Sequence, residues 1–133
     1  MEHTNIKVEF SIYGENFDPL HITEILNINP STSYLKGDKI PGKHIKRKET
    51  SWNLETKYEE SLDINDGLSK IVSLIIEKRE ILKKVGKLYN VKILFMFVIN
   101  IVNSETPAIY FRKSFVEFAA EIGSEIGFDT YIY

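Results

Sequence analysis

A chain of 133 residues with formal net charge −2, 43% hydrophobic residues and no cysteine has room for one domain, 1–133, that buries roughly two-thirds of its unfolded surface. The missing cysteines exclude disulfide frameworks, thiolate nucleophiles and cysteine-held zinc, and accord with a reducing compartment. The acidic balance excludes bulk basicity of the nucleic-acid-binding kind, the first residues show no basic segment leading into an apolar run, and the longest apolar run, 93–99, is far short of the roughly 20 residues that span a membrane, so a cytoplasmic protein is expected.

Ile6, Val8, Phe10 and Ile12 alternate with Lys7, Glu9 and Ser11, which predicts a first strand with one buried face. Asp18-Pro19 reads as an N-cap and first helical position: the carboxylate accepts a loose amide, and proline surrenders a donor that the helix start does not use. This helix runs to Leu26 with Ile22, Ile25 and Leu26 inward, and Pro30 prevents its continuation. Residues 29–49, with Pro30, Gly37, Pro41 and Gly42, read as a long loop of the kind that is functional or disordered. Within it Lys36, Lys39, Lys43, Lys46, Arg47 and Lys48 stand against Asp38 alone, so residues 36–48 are net +5 and the rest of the chain carries −7.

A second strand is expected over 50–58, with Trp52, Leu54, Thr56 and Tyr58 on one face. The three- and four-residue returns of Leu68, Ile71, Val72, Ile75, Leu82, Val85 and Tyr89 predict one helix over 66–89. Residues 91–102, rich in Ile, Val and Phe, predict a central strand. A turn over 103–107, a short antiparallel return strand over 108–111 and a Ser114-x-x-Glu117 capping box opening a third helix that ends at Gly123 follow. Ile126, Phe128 and Ile132 alternate through a last strand. The fold class is α+β: a single largely antiparallel sheet with helices on one face, in the ferredoxin-like β-α-β-β-α-β order from residue 50 onward, preceded by an extra strand and helix.

No constellation points to catalysis. The stretch from Gly37 through Gly42 to Lys43-His44 has the spacing of a phosphate loop but a histidine where the magnesium-binding hydroxyl belongs, and Pro41 removes an amide, so it is read as a decoy. His3, His21 and His44 are isolated, with no partner at ligand spacing. No catalytic, cofactor-binding or metal-ligating residues are assigned, and no cofactor is expected. In the central strand both sides are apolar, with Leu94, Met96 and Val98 on the side away from the helices, so that side calls for cover by the long loop, a second copy of the chain or a protein partner. Trp52 has two readings, a core side chain or a stacking platform and interface anchor beside the basic loop. The candidate partner-binding residues are Tyr34, Lys36, Lys39, Lys43, Lys46, Arg47, Lys48, Trp52, Leu94, Met96 and Val98.

Gly14, Phe17-Asp18-Pro19, Ile22-Thr23, Leu26, Pro30-Ser31-Thr32, Lys36-Gly37-Asp38, Trp52 and the closing Asp129-x-Tyr131 resemble, in order and spacing over nearly the whole chain, domain-of-unknown-function family 4279. The resemblance implies a small bacterial cytoplasmic protein and brings no catalytic residues. Its members place a glycine after the helix-one leucine, where this chain has Asn27, and an aromatic before Lys-Gly-Asp, where this chain has Tyr34. The expected function is a non-enzymatic protein-interaction module, such as a toxin-neutralising immunity protein, whose partner is another protein, a toxin among the candidates, or a second copy of the chain. The alternative is binding of nucleic acid or a phosphorylated ligand through the basic loop 36–48; a membrane partner is not expected, and an enzyme has no supporting motif.

Overall fold

The computed structural model describes residues 2–133. The alternation of the first strand places it inside the sheet: β1 (Asn5–Gly14) has antiparallel neighbours on both edges. On one edge lies β3 (Thr50–Glu55), with Phe10 opposite Leu54 and Ile12 opposite Trp52. On the other lies β5 (Lys92–Ile101), with Phe10 opposite Phe95 and Val8 opposite Phe97. Beyond β3 comes the three-residue β2 (Thr32–Tyr34), and beyond β5 comes β6 (Ser124–Ile132), so the order is β2-β3-β1-β5-β6, with β4 (Glu59–Glu60) paired to the start of β1. Of the strand-to-strand pairings among the described residues, only β5–β6 is parallel. It is joined by helix α4 (Lys113–Glu121), because parallel neighbours need a crossover connection.

All the helices lie on one face. α1 (Pro19–Leu26), α2 (Ile64–Ile75), α3 (Arg79–Tyr89) and α4 bury Ile22, Leu26, Leu68, Ile71, Leu82, Phe115 and Phe118 in the same cluster as Ile6, Val8, Phe10, Ile12, Phe95 and Phe97. α2 sits so close to β1 that a Cβ on Gly67 would stand 2.9 Å from Val8 Cγ2, which is why a glycine occupies an interior helical position. Asp18 caps α1 as expected, accepting the Leu20 amide at 3.0 Å with Pro19 in the first turn. The helix closes on Asn27 at φ 53°, a left-handed position that glycine fills most easily and asparagine tolerates best of the other residues. This accounts for the exchange of glycine for Asn27.

The α+β class and the one-sided arrangement stand, but the β-α-β-β-α-β order expected from residue 50 lacks its return strand. The strand expected over 50–58 ends at Glu55, leaving Tyr58 exposed beside Lys7 rather than on the Trp52 face. Further local features also differ from expectation. The helix expected over 66–89 is α2 and α3 separated by a 3-10 turn, Ile76–Lys78. Leu82 and Val85 beyond the turn stay buried in the same core as Ile71 and Ile75, while no residue of the turn itself is buried. The return strand expected over 108–111 is reduced to a single bridge between Ala108 and Asp63, running parallel. Its apolar residues are used elsewhere: Phe111 packs between Phe97, Phe115 and Phe128. The Ser114–Glu117 capping box does not form, because α4 starts at Lys113, one residue before the serine, with Arg112 at the cap position and no side-chain cap. A cap that the sequence pattern did not single out opens α2, where Asp63 accepts from the Asn65 backbone and side-chain amides. Finally, the segment 29–49 is not an irregular loop: it contains β2 and a hairpin.

Candidate functional site

With every helix on one side, the other side of the sheet is uncovered by helices. Strand register decides what it presents. The odd-numbered residues of β1, namely Lys7, Glu9, Ser11 and Tyr13, stand beside Val98, Met96, Leu94 and Lys92 of β5 and beside Glu55, Asn53 and Ser51 of β3. Gly127 and Asp129 of β6 lie next to Met96 and Val98. The apolar triplet expected on this side is therefore present but only partly cleared of water: Leu94 and Met96 are half-buried and Val98 is 9% exposed. Among the described residues no separate layer covers these side chains; they lean on neighbouring strands. Met96 folds over the bare backbone of Gly127, where a Cβ would lie 2.9 Å from Met96 Cε.

The face is divided by a charged ridge. Lys7 Nζ lies 2.8 Å from Glu9 and 3.9 Å from Glu55, and 4.9 Å from the centre of the Tyr58 ring. Burial on the sheet pulls the Lys7 pKa down, but the hydrogen bond and charge of Glu9, with Tyr58 and Glu55, outweigh it and hold the pKa above its ordinary value. Lys7 therefore stays a cation. On either side is a cleft whose wall includes both Lys7 and Glu9. One, about 790 Å³, lies between β1, β2 and β3, where Ser11, Tyr13, Thr32, Tyr34 and Asn53 meet Arg47. The other, about 860 Å³, lies over Met96, Val98 and Asn100, with Asp129, Tyr131 and Tyr133 along its outer side. In the first cleft, burial raises the Tyr13 hydroxyl pKa and the Glu125 and Glu49 carboxylates raise it further, so the group remains a neutral donor.

The basic segment forms the rim of the first cleft. Gly37 donates to the Arg47 carbonyl at 2.9 Å, Arg47 returns a bond to the Asp38 carbonyl at 2.7 Å, and Ile40 donates to Ile45 at 3.2 Å. The tip is a tight turn: Lys43 donates to the Ile40 carbonyl at 3.1 Å across Pro41-Gly42, with Gly42 at φ 74°. Proline followed by a left-handed glycine is the requirement of a type II turn. No helix begins at Lys43, so the phosphate-loop spacing is a turn sequence. Arg47 lies over the Tyr34 ring at 3.9 Å, which orients both toward the cleft. Lys39 and Lys46 are direct cross-strand partners, a like-charged pair that weakens the hairpin unless an anion lies near.

The candidate residues thus separate into groups. Tyr34, Lys39 and Arg47 line the first cleft, and Leu94 reaches its edge; Met96 and Val98 line the second. Lys36 lies back toward Glu15, at 3.7 Å, and Lys43, Lys46 and Lys48 are exposed on the hairpin. Trp52 leaves the surface: it is fully buried, and its indole N–H donates to Thr23 Oγ1 on α1 at 3.0 Å. Of its two readings, core packing is the one realised. The basic segment is also less anionophilic than its composition implies, because Glu9, Asp38, Glu49 and Glu55 share the first cleft with Lys7, Lys39 and Arg47. Glu9, Ser11, Tyr13 and Asn53 were missed as site residues. Period-2 alternation marks Glu9 and Ser11 as outward, but only strand pairing reveals that all four face the same cleft. His21, the histidine nearest the helix-one start, bonds Tyr89 Oη at 2.6 Å and ties α1 to α3. Among the described residues no group of three or more His, Asp or Glu side chains is placed to hold a metal ion, and no helix is long and apolar enough to cross a membrane.

Comparison with curated proteins and with solved structures finds no match. The family model described as a domain of unknown function, DUF4279, matches residues 4–133, from the first strand to the last residue; the chain belongs to this family.

Proposed function

We propose that the chain is a non-enzymatic protein-interaction module, acting in the bacterial cytoplasm, that binds its partner through the helix-free face of the sheet. One observation carries the reading: half-buried Leu94 and Met96 with Val98 lie in a face crossed by the ion-paired Lys7, Glu9 and Glu55, with a cleft on either side of that ridge. An apolar centre inside a polar rim is the anatomy of a protein interface. Paired charges of both signs give register and exclude wrong partners more than they attract a polyanion. A toxin-neutralising immunity protein is the instance of this class that we favour, since such a protein needs a fixed, pre-formed face rather than a reactive group.

The second reading, recognition of nucleic acid or a phosphorylated ligand by the hairpin, draws on the Lys39–Lys46 pair and on Arg47 stacked on Tyr34. It is opposed by the four carboxylates that share the cleft. The test is affinity capture from bacterial lysate with the wild type, Met96→Lys, and Leu74→Lys on the exposed outer side of α2. The interface reading expects a stoichiometric protein that survives nuclease, is lost with Met96→Lys and is retained with Leu74→Lys, both variants melting as cooperatively as the wild type. Capture indifferent to Met96→Lys but abolished by nuclease or by moderate salt would replace it with the second reading.

A further inference from the structure

The two edges of the sheet are built differently. The β2 edge is three residues long, follows Pro30 and runs directly into the lysine-rich hairpin, devices that blunt an edge against pairing. The β6 edge has none of them. It is nine residues long, contains no proline, lysine or arginine, and leaves Phe128 42%, Tyr131 51% and Ile132 79% exposed. Its backbone polarity is set by its pairing with β5. The Tyr133 amide donates inward to the Ile101 carbonyl at 2.8 Å, so by strand alternation the odd-numbered residues bond to β5. The N–H and C=O groups of Ser124, Ile126, Phe128, Thr130 and Ile132 then point outward along the edge.

We infer that β6 pairs antiparallel with β6 of a second copy of this chain, about a two-fold axis at Phe128, joining the two sheets into one. The strand's own charges select this register. Centred on residue 127, Glu125 would face Asp129 of the second copy; centred on 129, Asp129 would face itself; both set carboxylates directly opposite, which is destabilising. Shifting the centre to 126 or to 130 leaves barely half of the strand paired. Centred on Phe128, all nine residues overlap: Phe128 meets Phe128, Ile126 meets Thr130, Glu125 meets Tyr131 and Gly127 meets Asp129. Every outward N–H and C=O then finds an outward partner, because even-numbered residues face even-numbered residues. A two-fold arrangement is closed, so it satisfies the edge without propagating a fibre. The inference is independent of the proposed partner and leaves the helix-free face open, with the second cleft of each copy adjoining that of the other.

The test is light scattering coupled to size exclusion over a range of concentrations, together with register-specific cross-linking. The wild type is expected at twice the chain mass, dissociating on dilution. Thr130→Pro deletes an amide with no bond inside the monomer and should leave a folded chain that is monomeric throughout; Thr130→Lys, which changes no backbone group, should weaken the dimer in the same direction. Because the chain has no cysteine, Phe128→Cys creates a single thiol. Directly opposite hydrogen-bonded residues have Cα atoms about 5.5 Å apart, inside the roughly 4.4–6.8 Å range of a disulfide, so mild oxidation should cross-link this variant and not Thr130→Cys. A wild type that stays monomeric at the highest concentration would overturn the inference. So would a dimer that persists in both Thr130 variants, or one that cross-links at 130 and not at 128.

Discussion

The same strands meet two environments. On the helix side β1 and β5 present Ile6, Val8, Phe10, Ile12, Ile93, Phe95, Phe97 and Ile99, all essentially sealed from water. On the other side the alternate residues are Lys7, Glu9, Ser11 and Tyr13 beside Leu94, Met96 and Val98. The first side is held by bulk apolar burial and ring packing, such as Phe95 with its ring centre 5.0 Å from both Phe10 and Phe115. The second is held by hydrogen bonds and ion pairs along the strands: Ser51 to Asn53 at 2.6 Å, Asn53 to Thr32 at 3.2 Å, Asn100 to Asn5 at 2.9 Å. One side therefore supplies stability and the other is at liberty to supply specificity, since a polar face already bonded within itself contributes little to folding by being covered.

The largest effect expected from that division is on the helix side. Phe95→Ala should cost about 3–5 kcal/mol, the loss of a buried aromatic plus the cavity it leaves, read as a lower denaturation midpoint at unchanged slope. A cost below about 1 kcal/mol would mean that the two sides are not energetically distinct. Next comes the cap of α2. Asp63→Ala should cost about 1 kcal/mol. The Asn65 backbone and side-chain amides, helped by Tyr110 and Arg112, hold the Asp63 carboxyl below its usual pKa. A depressed folded pKa means that this contribution is complete above the unfolded value of about 3.9 and disappears as pH falls through the folded value. The variant's stability should accordingly fall less than the wild type's on acidification below that range; parallel curves would dismiss the cap.

On the helix-free side, Met96→Lys should alter stability by less than about 1 kcal/mol, as half-exposed substitutions without a cavity do, while removing partner capture. A global loss of fold would show Met96 to be ordinary core and erase the contrast. The smallest effect lies at the end of this face, where His3 Nδ1 is 3.2 Å from Glu105. The hydrogen bond and charge of Glu105, with Glu60, raise the His3 pKa. The linkage sign is opposite to that of Asp63: whatever the pair contributes is complete below the unfolded pKa and is lost as pH rises through the raised one. Glu105→Gln should return the His3 titration, followed by NMR, toward its ordinary value.

Much of this was legible in the residues because it depends on local rules. Alternation in β1, the Asp18-Pro19 helix start and the β-branched run of β5 each state their own structure. Where the local signal failed, a longer-range contact overrode it. Ser114 and Glu117 have the spacing of a capping box, but Phe115 and Phe118 must reach Phe95 and Arg79, and that fixes α4 two residues too early for Ser114 to cap. Residues 108–111 have strand propensity, but Phe111 is taken into the aromatic cluster under β6. Pro41-Gly42 looked like loop chemistry within a long loop and is the turn of a hairpin, whose two arms are too short and too charged to show a period.

By itself the sequence determined the α+β class, the inner faces of β1 and β5, the position of the basic segment and the burden of apolar residues on both sides of β5. These follow from periodicity and composition, which a side chain carries wherever its strand is placed. The tertiary structure alone decided which strands are neighbours, and with that everything about the surface: that Lys7 stands between Glu9 and Glu55, that Gly127 lies beneath Met96, that Trp52 is sealed against α1, and that β6 is left as a long unblunted edge. Register and strand order arise from contacts between residues far apart in the chain, and no local pattern encodes a partner that lies ninety residues away.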